Sequence, residues 1–337
     1  MALQNMRQEL LGIPGTNFGL VTTKLNEAFA AIQNENVWSF QLIDGGWLTP
    51  GLLGGPTTEF LSPGRITVTP FTTSITGDAT ASAAWTAALI SPPLLTQQQI
   101  RVPYYSLYNI ISANVSNPNA VVLTIDRPWM EPRQTSGTYM IYQAYYAAPP
   151  GFKRWYNIRD TTNNNYMDWW SRTEIDLSEQ DAERTDFDEP LYVVPYKMDT
   201  RAGSTTYGQM LYELWPHPIT QLPYTFACQA NWPSLSNPSD TVPYPLNDEL
   251  VKLRAYEMLY LWKESQKGDE MERGAGANWQ FLLQAARAEY DDRLKHIRVM
   301  DRSLVDLYFS KMQRLPSAFG EPYSSVTGQL NLGNWGS

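Results

Sequence analysis

The sequence predicts an α+β protein: a helical hub drawn from both chain ends, with a large antiparallel, sandwich-like β-rich region between them. Three observations lead there. Apolar residues recur at steps of three and four near the start of the chain, the spacing of one buried helix face. Between residues 41 and 242, Gly, Pro, Thr, Asn and Ser interrupt the chain about every ten residues, and the segments between them alternate like strands. From Leu246 the helical spacing returns.

Residues 1–40 form the first part of the hub. Leu3, Met6 and Leu10 make a short stripe that stops at Gly12, with Pro14 just beyond, as helix ends prefer. Leu25, Ala28, Phe29 and Ile32 mark a second helix, with Thr22 or Thr23 as its expected cap, ending before Trp38-Ser39-Phe40. In the β-rich region, expected strands include Arg65–Thr69, Ala120–Ile125, Thr138–Tyr146, Gln209–Leu214 and Tyr224–Cys228. A parallel α/β sheet needs crossover helices, and no segment of this region reads as a helix of adequate length.

Residues 243–316 supply the C-terminal helices. Leu246–Glu264 carries two apolar stripes, Val251-Ala255-Met258-Trp262 and Leu246-Leu250-Leu253, and a helix apolar on two sides packs between neighbours. Asn247 or Asp248 is the expected cap. A Gly-rich hinge at Gly268–Gly276 leads to a long amphipathic helix with Trp279, Leu283, Ala286, Tyr290, Leu294 and Ile297 on one face. A further turn or two follows at Ser303–Met312. Residues 317–337 lack periodicity yet keep Phe319, Tyr323, Leu332 and Trp335, which points to an extended docking tail.

Composition narrows the function. The 337 residues carry a net charge of −9, and only 18% are charged. A nucleic-acid grip places Lys and Arg against phosphates, and this acidic chain has no long basic run. Low charge density with 12 Trp and 20 Tyr suits contact with other protein surfaces, although aromatic residues also fill β-rich cores. The single cysteine, Cys228, rules out an internal disulfide framework and a thiolate metal cluster. The start lacks a signal-peptide pattern, and no apolar run approaches a membrane span, so the expectation is a protein made in a cytoplasm and soluble until it assembles.

Chemistry-bearing motifs are sparse. The two histidines, His217 and His296, belong to no metal-binding spacing, and neither a nucleophile elbow nor a phosphate loop is present. Catalytic, cofactor and metal residues are therefore expected to be none. The best enzymatic alternative is an acid-aromatic stretch, Asp168-Trp169-Trp170 with Glu174 and Asp176, which would suit a glycoside hydrolase cleft or a sugar-binding platform. Its bland reading is a solvated acidic loop paired with Arg172 and Arg184.

Several stretches in order resemble the head-to-tail adaptor (neck or connector) proteins of tailed bacteriophages, particularly short-tailed ones. They are Thr23-Lys24-Leu25-Asn26-Glu27-Ala28 with Trp38-Ser39-Phe40, then Leu123–Pro128 with Gly137-Thr138-Tyr139. The likeness continues through Ala148–Arg154, Asp181, Arg184, Thr185 and Glu189-Pro190. Leu211–Pro218, Leu222–Phe226 and Pro243–Glu249 complete it, so it covers most of residues 20–300. The resemblance implies a non-enzymatic virion protein made in the host cytoplasm, forming a homo-oligomeric, dodecameric ring between the portal protein and the tail or nozzle proteins. DNA would pass through the channel without specific binding, and an acidic lumen would repel its phosphates. Leu250, Leu253, Met258, Trp262, Leu283 and Tyr290 are the expected bundle or subunit-interface residues. Phe319, Tyr323, Leu332 and Trp335 are the expected portal-docking residues. Another tail or baseplate component, or a carbohydrate-binding tail protein, is the alternative.

Overall fold

The structure, a computed structural model, describes residues 3–13, 15–55, 60–90, 98–178, 187–201, 204–265 and 279–313. Helices α1 (Leu3–Leu10) and α2 (Phe18–Glu35) lead through a 3₁₀ turn (Ser39–Gln41) into β1 (Leu42–Leu48). Next come β2 (Ile66–Val68), β3 (Ser74–Gly77), α3 (Ala79–Ile90), β4 (Gln99–Arg101), β5 (Tyr108–Asn114) and β6 (Val122–Ile125). They are followed by β7 (Gln134–Gly137), β8 (Met140–Tyr142), β9 (Tyr145–Ala147), β10 (Phe152–Asp160), β11 (Asp168–Trp169) and α4 (Arg172–Ser178). The β-rich part closes with β12 (Phe187–Asp188), β13 (Tyr192–Met198), β14 (Met210–Trp215), β15 (His217–Pro218) and β16 (Pro223–Ala230). Two helices end the order, α5 (Asp248–Ser265) and α6 (Trp279–Gln313). The chain is thus α+β, with its helices mainly towards the ends. It divides into two compact units, residues 1–43 with 228–337, and residues 44–227.

The first unit is helical. Leu3, Met6 and Leu10 of α1 and Val21, Leu25, Ala28, Phe29 and Ile32 of α2 are buried in one core. That core also takes Leu250, Val251, Leu253, Ala255 and Leu259 of α5, and Trp279, Tyr290, Leu294 and Ile297 of α6. α2 starts earlier than expected, because the Asn17 side chain accepts the Leu20 N–H at 2.8 Å and caps it. Thr22 and Thr23 lie inside the helix, their hydroxyls donating back to the carbonyls of Phe18 and Gly19. Asn247 is the cap of α5, accepting the Leu250 N–H at 2.8 Å. Trp38 is fully buried, and its indole N–H donates to the Ile32 carbonyl near the α2 C-terminus. α6 is a single helix of 35 residues, about 52 Å long, and the further turns expected at Ser303–Met312 continue it. The Gly268–Gly276 hinge lies outside the described residues.

The second unit is β-rich. Its largest sheet is a seven-stranded antiparallel half-barrel, in the order β7-β2-β3-β6-β5-β4-β8. Ile66, Val68, Ile75, Ile100, Ile110, Leu123, Ile125, Trp129 and Tyr139 fill its core. α3 packs there through Ala81 and Trp85, a helix the sequence reading did not expect. Asp78 caps it by accepting the Ala81 N–H at 2.8 Å.

A four-stranded sheet, β11-β13-β14-β9, accompanies the half-barrel. Pairing is not wholly antiparallel, since β11 runs parallel to β13 and β12 parallel to β15. The expected strand Thr138–Tyr146 is two strands: β8 joins the half-barrel and β9 the four-stranded sheet. The break falls at Gln143-Ala144, where the Ala144 N–H turns to the Gln99 side chain at 2.8 Å. Met140, Ile141, Tyr142, Ala144 and Tyr146 are all buried, so this stretch has no solvent-facing row to set a single register.

Candidate functional site

A buried carboxyl and a buried imidazole lie side by side in the β-rich unit. β14 places Glu213 inward, where it is 4% exposed, and β15 places His217 at 2%. Arg172, at the start of α4, forms an ion pair with Glu213. His217 Nε2 lies 3.7 Å from a Glu213 oxygen, and its ring centroid is 4.7 Å from that of Tyr142. Burial, with Arg101 and Arg172 nearby, pushes the imidazole pKa down to about 3, so His217 is neutral and its contact with Glu213 is not an ion pair. Burial raises the Glu213 carboxyl and Arg172 opposes that shift. Arg172 thus answers the buried carboxylate, as stability requires of a charge taken out of water.

The other histidine, His296, sits exposed on α6 with Asp292 at 3.9 Å. Cys228 is buried. Among the described residues no group of three His, Cys, Asp or Glu side chains is placed to hold a metal ion.

The acid-aromatic stretch is engaged with its own chain. Trp170 stacks on Tyr192 with ring centroids 3.8 Å apart, and Trp169 faces Trp155 at 6.5 Å. Glu174 accepts the Ser171 N–H at 2.5 Å while Ser171 Oγ accepts the Glu174 N–H at 3.2 Å. That is a reciprocal cap on α4, and its hydrogen bonds hold the Glu174 carboxyl below its usual value. Arg172 pairs with Glu213 on β14. The Asp176 side chain, Asp181 and Arg184 fall outside what is described.

The expected interface residues divide. Leu250, Leu253 and Tyr290 are buried in the core of their own unit, so they pack the bundle and offer a second chain no surface. Met258 packs partly against that core, and Trp262 and Leu283 are half-buried. Phe319, Tyr323, Leu332 and Trp335 lie outside the described residues.

Compared with known proteins, the chain matches no protein-family model and no curated protein sequence.

A different surface stands out on α6. Asp301 is buried there and accepts the Ser39 N–H at 3.0 Å and the Ser39 hydroxyl at 2.5 Å. Around and beyond that anchor, Val299, Met300, Leu304 and Leu307 are 75%, 55%, 38% and 53% exposed. Met300, Leu304 and Leu307 follow the i, i+4, i+7 spacing of one helix face. The row was not among the expected interface residues, although its spacing is plain in the sequence.

Proposed function

We propose that the chain is a structural virion protein, a head-to-tail adaptor that forms a ring between the portal and the tail and lets DNA pass. The observation that carries this reading is the exposed row of α6. Met300, Leu304 and Leu307 stand in water on a helix that is anchored at Asp301 and continues past the packed core. Contiguous apolar surface of this kind marks an interaction site. In a ring, one subunit's row would meet a neighbouring copy, a heterologous contact that closes under rotation. The ordered likeness of the sequence to phage adaptors and the low charge density point the same way.

The helical unit, built from residues 1–43 and 228–337, would supply the hub around the channel from which such contacts are made. The inward pairing of Glu213 and the self-engaged Trp169 and Trp170 favour it over a hydrolytic cleft.

The test is the double substitution Met300→Glu and Leu307→Glu. Both side chains are exposed, so the folded subunit should keep its circular dichroism and unfolding midpoint, while ring formation on portal-bearing heads is lost. Full ring formation by the double variant would reject this face as the subunit contact.

A further inference from the structure

Within the β-rich unit, residues of the half-barrel and of the four-stranded sheet together line a cavity of about 340 Å³. Its charged lining is Arg127, Lys197 and Arg201 against Asp126 and Asp199, three cations to two carboxylates, an excess of one positive charge in a chain whose net charge is −9. The two acids are already engaged. Asp199 accepts Nε and Nη2 of Arg201 at 2.9 Å each, the Arg201 backbone N–H at 3.0 Å, and the hydroxyls of Ser204 and Thr206 at 2.7 and 2.6 Å. Asp126 accepts the Asn109 N–H at 3.1 Å and its side-chain amide at 2.6 Å.

Two of the cations are not matched in this way. Arg127 gives one N–H to the Leu107 carbonyl at 3.0 Å and lies over the Tyr108 ring at 4.8 Å, which leaves most of a guanidinium's five donors free for another acceptor. The Lys197 ammonium lies 5.0 Å from the Tyr196 ring centroid. Among the described residues no carboxylate forms an ion pair with Arg127 or Lys197. The remaining wall is partly rigid and partly polar. Tyr145 and Tyr196 stack at 4.1 Å with their planes 7° apart, while Ser106 and Thr200 bring hydroxyl-bearing side chains. The volume falls in the lower range of small-molecule sites and exceeds what a bare inorganic anion fills.

We propose that this cavity binds a small hydroxylated molecule carrying one oxyanion, a phosphate or a carboxylate, with Arg127 and Lys197 as its charge-assisted donors. Arg127 and Lys197 are exposed, so an oxyanion would replace the water on their remaining donors, and the neutral polar wall suits hydroxyl groups. This site is independent of the adaptor role, and either reading can fail without the other.

Isothermal titration of the full chain at fixed ionic strength, with glucose 6-phosphate, glucuronate and glucose as probes, tests it. Saturable binding of one or both acidic hexoses is expected, and the two arms tell a phosphate site from a carboxylate site. Lys197→Met and Arg127→Met should each weaken that binding at least about tenfold. Arg127→Met also drops the bond to Leu107, so Lys197→Met, at an exposed side chain, keeps the test decisive if the first variant misfolds. The proposal is overturned if neither acidic hexose binds up to about 10 mM, if glucose binds as well as they do, or if a folded Lys197→Met binds as the unsubstituted chain does.

Discussion

Replacing Asp301 probes the anchor between α6 and the segment that follows α2. Asp301 is fully buried and accepts both the backbone N–H and the hydroxyl of Ser39, at 3.0 and 2.5 Å. A hydrogen bond to a charged group contributes about 1.5–3 kcal/mol, and a buried donor left without a partner costs about 1–3 kcal/mol. Asp301→Ala removes both acceptors, so a loss of about 3 kcal/mol is expected, allowing for the non-additivity of two bonds to one side chain. Asp301→Asn keeps the shape and one acceptor oxygen, and its amide can donate to Ser39 Oγ. Burial pushes the Asp301 carboxyl up, so the ionised form is held at a cost that the neutral amide avoids. Asp301→Asn should therefore lose about 1 kcal/mol or less. Urea unfolding followed by far-UV circular dichroism measures both, provided the helical unit unfolds in one step. Equal losses for the two variants, or a loss under about 0.5 kcal/mol for Asp301→Ala, would refute the reasoning.

Three further outcomes follow from the same geometry. Leu250→Ala, at a fully buried position in the helical core, should cost about 2–5 kcal/mol in urea unfolding without changing any surface property. Gly64→Ala should destabilise the half-barrel by more than about 1 kcal/mol in the same assay, since Gly64 has φ +83° and an added Cβ would lie 2.3 Å from the Ala81 backbone nitrogen. Acidification should act through His217. Its folded pKa, about 3, lies below the unfolded value of about 6.5, so the unfolded chain binds the extra proton and stability falls as pH drops through that window. Between about pH 7 and pH 5.5 the loss is about 1 kcal/mol. His217→Gln should remove this slope in pH-dependent unfolding, whereas Glu213, whose raised pKa acts with the opposite sign, remains in both chains.

The helices whose apolar residues keep a clean step of three or four were legible in the sequence. α1, α2 and α5 lie where Leu3-Met6-Leu10, Leu25-Phe29-Ile32 and Leu250-Leu253 place them. α3 was not, because Ala79–Ile90 is apolar nearly all round, so no stripe in the sequence singles out the face that Ala81, Ser82, Trp85, Ala88 and Leu89 turn to the core. Asn17 outranked Thr22 and Thr23 as a cap because a cap acts on the N–H groups next to it, a competition that local composition does not decide. The split at Gln143-Ala144 depends on a partner distant in sequence, the Gln99 side chain. The same holds for the 340 Å³ cavity, whose cations at Arg127, Lys197 and Arg201 meet only once strands from two sheets adjoin. The expected interface residues Leu250, Leu253 and Tyr290 illustrate the converse. Periodicity identifies a buried face, but whether the covering surface belongs to the same chain is settled by tertiary packing.

The most direct test of the adaptor proposal is the mass of the purified protein, alone and mixed with portal-bearing heads, by native mass spectrometry and negative-stain imaging. A ring of about a dozen copies seated on the portal is the expected result. A stable trimer that ignores the heads would contradict it.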